Sequence, residues 1–232
     1  MAGLDPLSDA AIILLTLKVG LVAMAGALPV AFALAWLLAR VRFPGKVIVD
    51  AIVHLPLVLP PVVTGWALLL LFAPSGPLGH WLLAWFGASV LFKWTGAAIA
   101  SAVMALPLMV RAIRLSIEAV DRRLESAART LGAGPWRAFR DVTLPLSLPG
   151  VLAALVLGFA RSVGEFGATI TFVSNVPGET QTLPLAIYAA MQTPDGDATV
   201  LRLAGIAVAL SLGALIASEA LARRAGRGLH VF

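Results

Sequence analysis

The sequence predicts an all-α polytopic membrane protein with about five spanning helices, and three observations support this class. Of its 232 residues, 60% are hydrophobic and 12% are charged, whereas a soluble domain has about half apolar and about a quarter charged residues. Five stretches reach the length of about 20 apolar residues that a membrane helix needs. Most basic residues lie in the links between these stretches. Because backbone amides facing lipid need partners within their own segment, each span is expected to be helical.

One membrane domain is predicted to fill residues 1–232, and its five spans follow one another along the chain. They cover about residues 10–38, 47–73, 94–115, 148–173 and 203–221. Two further apolar stretches, residues 78–91 and 183–191, are too short to span. Trp81 and Trp85 in the first of them suit the level of the lipid headgroups. Both stretches are therefore interpreted as interfacial or re-entrant helices, and the sequence leaves open which one re-enters.

Positive charge predicts the orientation of the chain. The link after the first span, the long link after the third span and the C-terminal tail carry most of the arginines and lysines. Because these residues concentrate in cytoplasmic loops, the three regions are predicted to be cytoplasmic and the N-terminus to lie outside. A sixth span at residues 78–91 would place the first basic link on the opposite side from the other two. The same distribution explains the net charge of +5 without a nucleic-acid partner.

The residue types limit the chemistry of the chain. It has no cysteine and three scattered histidines, so neither a disulfide nor a metal site is indicated. A phosphate-binding Gly-Lys-Ser/Thr loop is absent from the sequence, since Val47 follows Gly45-Lys46. We therefore predict a protein that is not an enzyme, with no catalytic residue and no cofactor, and any ATP would be hydrolysed by a partner.

The longest cytoplasmic link, residues 116–147, is predicted to form two short helices. Gly132 and Gly134 are expected to end the first helix, and Pro135 can begin the second. Large apolar side chains in this link would be exposed and would therefore mark an interface. They are Leu131, Trp136 and Phe139.

This link resembles the loop of the permeases of ABC importers, whose pattern is Glu-Ala-Ala, three residues, Gly, nine residues, Ile, one residue and Leu-Pro. Ala127-Ala128, Gly132 and Leu144-Pro145 match the pattern, and a valine replaces the isoleucine. Ser126 stands at the glutamate position, and Glu125 lies one place earlier. In the family this loop forms the coupling helices that sit in a groove of the ATPase subunit. The coupling residues that the resemblance implies are Glu125, Ala127, Ala128, Leu131, Gly132, Trp136, Phe139, Val142, Leu144 and Pro145.

Further segments resemble the molybdate permeases among these importers. They are residues 43–46, 54–65, 109–114, 160–175 and 177–180. The resemblance implies a type I importer permease of the bacterial inner membrane that translocates molybdate. It also implies a homodimer, two ATP-binding cassette subunits that bind ATP and Mg, and a periplasmic oxyanion-binding protein.

The fourth span supplies candidates for the pathway or gate. Arg161 and Glu165 are four residues apart and would share one helix face, either as a gate that attracts an oxyanion or as a structural ion pair. Small and polar residues nearby either line the passage or let helices approach closely. The candidates are Arg161, Ser162, Glu165, Thr169, Thr171, Ser174 and Asn175. In the second span Pro56, Pro60 and Pro61 would kink the helix, as a gating hinge or as a fixed bend.

Three alternatives stay open at this point. The same machine could carry tungstate or sulfate, because the sequence offers no pocket that selects among these anions. A stand-alone channel or ion-driven carrier would leave the loop at residues 127–145 without a purpose. A membrane enzyme would need a nucleophile and base or a metal cluster at depth, which one Arg/Glu pair does not supply.

Overall fold

The computed structural model describes residues 8–227, with side chains described through residue 216. Every regular element in this part of the chain is helical. The helices are α1 (Asp9–Arg40), α2 (Lys46–Val58), α3 (Pro61–Phe72), α4 (Pro77–Phe86), α5 (Trp94–Ala119), α6 (Arg122–Thr130), α7 (Pro135–Ala138), α8 (Leu144–Val163), α9 (Gly167–Val173), α10 (Leu183–Met191) and α11 (Asp197–Arg227). A π-helical turn, Phe139–Thr143, joins α7 to α8. The predicted domain, 1–232, extends beyond the described residues at both ends.

The lengths of these helices confirm the predicted class. Within the described residues, four helical segments are long and apolar enough to cross a membrane, and α2 with α3 makes a fifth if the pair counts as one span. Those four are Asp9–Arg40, Trp94–Ala119, Pro135–Val163 and Asp197–Ile216. α4 and α10 have 10 and 9 residues, about 15 Å at about 1.5 Å per residue, which is too short to span.

Helix α5 is the centre of the bundle and packs along both α1 and α8. Its inner face carries small residues, and Ala97, Ala100 and Ala105 have no exposed surface. On α8, an added Cβ at Gly158 would lie 2.5 Å from the sulfur of Met24. Because lipid gives apolar helices little reason to associate, such close backbone approach is what holds membrane helices together.

Contacts near the helix ends define the helix directions. Lys18, in the first third of α1, lies 3.6 Å from the ring centroid of Trp94, the first residue of α5. These two helices therefore run in the same direction. The Ser116 hydroxyl near the end of α5 donates to the Ser147 carbonyl near the start of α8, at 3.2 Å. α8 therefore runs in the opposite direction.

The basic links meet at one end of the bundle. Asp9 at the start of α1 forms an ion pair of 2.7 Å with Arg202 in the first turns of α11, so α11 runs parallel to α1. Residues 41–45, residues 120–143 and the end of α11 consequently lie together, and we call this the basic end. Five membrane crossings would put all three basic regions on the same side of the membrane, as the charge pattern predicts.

The second and fourth predicted spans are each divided in the structure. α2 and α3 meet at an angle of 114°, with Pro60 before the first residue of α3 and Pro61 in its first turn. Pro60 and Pro61 thus lie at the predicted bend, whereas Pro56 lies inside α2. Residues 148–173 were predicted as one helix, but α8 ends at Val163 and α9 begins at Gly167. Glu165 therefore lies between two helices, and the prediction that it shares a helix face with Arg161 is wrong.

Candidate functional site

The helices at the basic end form an elbow, which we define as residues 121–143. Asp121 caps α6 by accepting a hydrogen bond from the Arg123 amide at 2.9 Å. At the other end Gly132 has a φ of +89°, and the Ala133 amide donates to the Ala128 carbonyl at 3.0 Å, as in a Schellman motif. Pro135 occupies the first position of α7. The two short helices and the glycine turn are therefore as the sequence predicts.

Helix α6 presents two chemically different faces. Leu124 and, just beyond the helix, Leu131 lie on one side and are 49% and 89% exposed. Arg122, Glu125 and Arg129 lie on the opposite side, where they line a pocket against the end of α1. An exposed apolar face on a short helix is typical of a protein interface, and Ala127 and Ala128 of the motif belong to this same face by their spacing.

Glu125 connects three elements of the structure. Its carboxylate lies 2.9 Å from Nη2 of Arg40, the last residue of α1. The same carboxylate accepts a hydrogen bond of 2.5 Å from the hydroxyl of Thr143. Ser126, at the motif's glutamate position, instead donates to the Arg122 carbonyl within α6 at 3.1 Å. The Glu125 carboxylate thus links α6 to the end of α1 and to Thr143, the residue before α8.

The aromatic residues of the elbow differ in exposure. Trp136 is 71% exposed, as predicted. Phe139 is half-buried, so the prediction of its exposure is wrong. Its ring packs edge-on against Phe32 and Trp36 of α1, with centroids 6.0 and 6.5 Å away. The rest of the motif leads into α8: Val142 and Leu144 are half-buried and Pro145 is exposed.

The predicted pathway residues lie at the opposite end of α8. Glu165 is 2% exposed and its carboxylate lies 2.6 Å from Nη1 of Arg161. Its other oxygen accepts a hydrogen bond of 2.8 Å from the Ala168 amide, so it caps the positive end of α9. A carboxylate engaged in these two ways supports the structural interpretation of the Arg161–Glu165 pair.

Most other pathway candidates face the inside of the protomer. Ser162 and Thr169 are buried. Thr171 is half-buried, and its hydroxyl donates to the Gly167 carbonyl at 2.8 Å. Asn175 is half-buried too, with its amide 3.4 Å from the Leu185 carbonyl oxygen. These four residues are therefore covered, partly or fully, by neighbouring segments of the same chain.

Ser174 differs from the other candidates because it is exposed and has an unusual backbone. Its φ is +62° and its ψ is −173°, a region that glycine alone adopts readily and that costs other residues about 1–3 kcal/mol. Its carbonyl accepts a hydrogen bond of 2.8 Å from the Thr180 hydroxyl, which also accepts one of 2.8 Å from the Val176 amide. The loop after α9 is thereby held in a fixed shape.

Helices α3 and α9 approach each other closely at this end. An added Cβ at Gly65 would lie 2.5 Å from the Ala168 carbonyl oxygen and 2.9 Å from Cβ of Thr171. The bend at Pro60 directs α3 onto α9, since α3 begins one residue later. The packing of α3 on α9 was not predicted from the sequence. Its one local signal was Gly65, a glycine four residues after Pro61.

Known proteins identify the class of this fold. Residues 27–227 match the model of the family described as the binding-protein-dependent transport system inner membrane component. The chain belongs to this family. The molybdenum transport system permease protein ModB of Escherichia coli (strain K12) is 56% identical over 219 residues, which cover 93% of this chain and 96% of that protein. These findings confirm the predicted resemblance to molybdate permeases and the multi-pass membrane class of this family member.

One further sequence relative and one solved structure are also similar to this chain. The sulfate transport system permease protein CysT of Escherichia coli (strain K12) is 39% identical over 194 residues, covering 84% of this chain and 69% of that one. A bacterial alginate ABC transporter, crystallised in complex with an alginate pentasaccharide-bound periplasmic protein, has the same fold with a TM-score of 0.74 at 19% identity. That match covers 94% of this chain and 80% of the other.

The glycine at the turn of the elbow permits a test with an internal control. Gly132→Val forces a β-branched residue to φ +89°, which costs about 1–2 kcal/mol, whereas Gly134→Val keeps a φ of −65°. A Cβ at either position meets nothing within 4 Å. We expect Gly132→Val to reduce transport at least fivefold and Gly134→Val to leave it within twofold. Equal uptake by both variants, at equal membrane levels, would show that transport does not depend on the left-handed turn at Gly132.

Proposed function

We propose that this chain is the membrane-spanning permease of an ATP-driven importer that carries molybdate across the cytoplasmic membrane. The observation that carries the proposal is the 56% identity to a molybdenum transport permease over 93% of the chain. The chain itself would hydrolyse no ATP. A separate ATPase would bind ATP and Mg and supply the force.

The proposed assembly is a homodimer of this chain with two ATPase subunits and a periplasmic oxyanion-binding protein. The exposed face of α6 with Leu124 and Leu131 supports a cytoplasmic partner at the elbow. The charge of the basic end supports its location in the cytoplasm, and the N-terminus would then lie outside. The alginate transporter supports the periplasmic partner, because it has this fold and was crystallised with a periplasmic protein.

The proposed mechanism is alternating access driven from the elbow. ATP binding brings the two motor subunits together, and their movement acts on α6. The ion pair of Glu125 with Arg40 passes this movement to α1, and the Thr143 hydrogen bond passes it to α8. At its other end α8 leads through Glu165 into α9, which packs on α3. The passage then opens to the loaded binding protein, and hydrolysis resets it inward.

Sulfate is the second candidate cargo, because CysT is also similar over most of this chain. Tungstate, like molybdate and sulfate, is a tetrahedral dianion and would use the same passage. All predicted pathway residues except Ser174 are buried or half-buried. This supports a permease that leaves selection to the binding protein, since tight binding in the passage would hinder release.

Reconstitution tests the proposal. The chain, its ATPase and the molybdate-binding protein of the same bacterium are placed in proteoliposomes, and radiolabelled molybdate and sulfate are supplied outside. We expect uptake that needs ATP and all three components, with molybdate at least tenfold ahead of sulfate. Uptake of molybdate by this chain without the ATPase would refute the importer. If the same chain took up sulfate with a sulfate-binding protein as fast as molybdate with the molybdate-binding protein, molybdate would not be its specific cargo.

A further inference from the structure

A continuous apolar groove runs along α1 beside the elbow. It consists of two adjoining cavities of about 500 and about 490 Å³. They share Phe32, Ala33 and Phe139. The first ends at Trp36, and the second continues to Leu28 of α1 and Val151 of α8. The first cavity lies between α1 and the elbow, and the second lies mainly between α1 and α8. The groove therefore runs from the basic end into the depth of the hydrocarbon.

A charged pocket of about 220 Å³ adjoins this groove at the basic end. It shares Trp36 and Phe139 with the first apolar cavity. Its charged lining consists of three guanidinium groups and one carboxylate, and it is therefore positive. These groups belong to Arg40, Arg122, Arg129 and Glu125.

Arg40 gives a second, independent observation that favours a hydrogen-bond acceptor in this pocket. Its side chain is 10% exposed. Nη2 pairs with Glu125, but Nε is buried without a hydrogen-bond partner in the part of the chain that the structure describes. A buried donor without a partner is unfavourable, so an acceptor beside Arg40 would stabilise it. Phosphate oxygens are the acceptors that a cluster of arginines binds best, because the planar guanidinium fits them with two parallel bonds.

The position of the pocket relative to the groove matches one class of molecule. Arg40 is the last residue of α1, and Trp36 lies one turn before it, where tryptophan marks the headgroup level. The groove extends from there towards the middle of the span. A positive pocket at the headgroup level that continues into an apolar groove is complementary to an anionic lipid.

We propose that the elbow binds an anionic glycerophospholipid of the leaflet at the basic end. The phosphodiester occupies the pocket between Arg40, Arg122 and Arg129, and one acyl chain fills the groove beside Ala33 and Phe139. The lipid bridges α1 and α6 on the side opposite to the exposed Leu131, so lipid and ATPase would bind different faces of α6. The proposal rests on the membrane location of the chain and not on its cargo.

Native mass spectrometry of the purified full chain tests this proposal. The chain is titrated with dioleoylphosphatidylglycerol or with dioleoylphosphatidylcholine, which have the same acyl chains. We expect the first phosphatidylglycerol to bind at least tenfold more tightly. Arg122→Gln with Arg129→Gln should weaken it at least fivefold. Arg123→Gln, on the same helix but outside the pocket, should have no effect.

The apolar half of the site is tested separately. Ala33→Trp fills the groove and should weaken phosphatidylglycerol binding at least threefold, whereas Ala25→Trp, also on an exposed part of α1, should not. Circular dichroism melting checks that each variant is folded. If the double arginine variant is unstable, Arg129→Gln alone, an exposed substitution, provides the comparison.

Several results would overturn the proposal. Equal binding of the two lipids, or binding unchanged in the arginine variants, would indicate ordinary annular lipid. Displacement of phosphatidylglycerol by inorganic phosphate, with Ala33→Trp inert, would indicate a free-anion site. Ala33→Cys, in a chain without cysteines, would cross-link to itself if a second copy covered the groove. Loss of ATPase binding in the arginine variants with normal lipid binding would assign the pocket to the ATPase. None of these results depends on whether molybdate is transported.

Discussion

Glu125→Gln is expected to uncouple ATP hydrolysis from transport. The substitution leaves Arg40, whose side chain is 10% exposed, without its counter-ion, and it weakens the link to Thr143. A charge-assisted hydrogen bond of this kind contributes about 1.5–3 kcal/mol, and the 29% exposure of the Glu125 side chain places it at the lower end. We expect uptake per ATP hydrolysed to fall at least tenfold while the permease still inserts and binds its ATPase.

Asp141→Asn is the matched control for Glu125→Gln. It removes one carboxylate from the same elbow, but the Arg140–Asp141 pair is about half exposed on both sides, and solvent screens such surface pairs so that they contribute little. Uptake per ATP should therefore stay within twofold of the unmodified chain. If both variants transport normally, the Glu125 link does not carry the coupling. If both fail equally, the loss reflects the charge of the elbow and not this link.

Gly65→Leu should have the largest effect on the stability of the permease. The first added atom would lie 2.5 Å from a backbone oxygen of Ala168, which cannot rotate away as a side chain would. Overpacking of this kind costs about 1–3 kcal/mol or more. We expect α3 to separate from α9, and transport to be lost with a clear drop in melting temperature measured in detergent.

Two milder substitutions keep this prediction testable when the leucine variant does not accumulate. Gly65→Ala adds the clashing Cβ alone and should lower the melting temperature by several degrees, at about 2–4 °C per kcal/mol. Gly26→Ala in α1 adds a Cβ that meets nothing within 4 Å and should leave it unchanged. An unchanged melting temperature for Gly65→Ala would contradict the close approach of α3 and α9.

Features that depend on short stretches of sequence were predictable. Hydrophobic length predicts the spans because a bilayer fixes it. Pro60 and Pro61 predict the bend between α2 and α3 because proline removes a helix donor. Gly132 predicts the end of α6 because it adopts a left-handed conformation readily. In each case the cause acts within a few residues, so the sequence alone suffices.

Features that depend on distant partners were not predictable. Phe139 was expected to be exposed, but Phe32 and Trp36 lie about a hundred residues away in the chain and cover it. The break after Val163 has no strong local signal, because Gly164 alone is tolerated in many helices. Glu165 stabilises the break by capping α9, a role that a helical pattern does not reveal. The exposure of Leu131 and Trp136 was therefore predicted correctly, and the features that depend on long-range packing were missed.

Helix α8 joins the elbow to the region of α3 and α9 without a loop. Its 20 residues extend over about 30 Å at about 1.5 Å per residue. A tilt of about 5° at the elbow would displace the far end by about 2.6 Å, which is 30 Å × sin 5° for a straight rod of this length. A tilt of α8 at one membrane surface would thus displace its end at the other surface. Under the proposed mechanism, a small movement of the ATPase would therefore be enough to shift the region of α3 and α9.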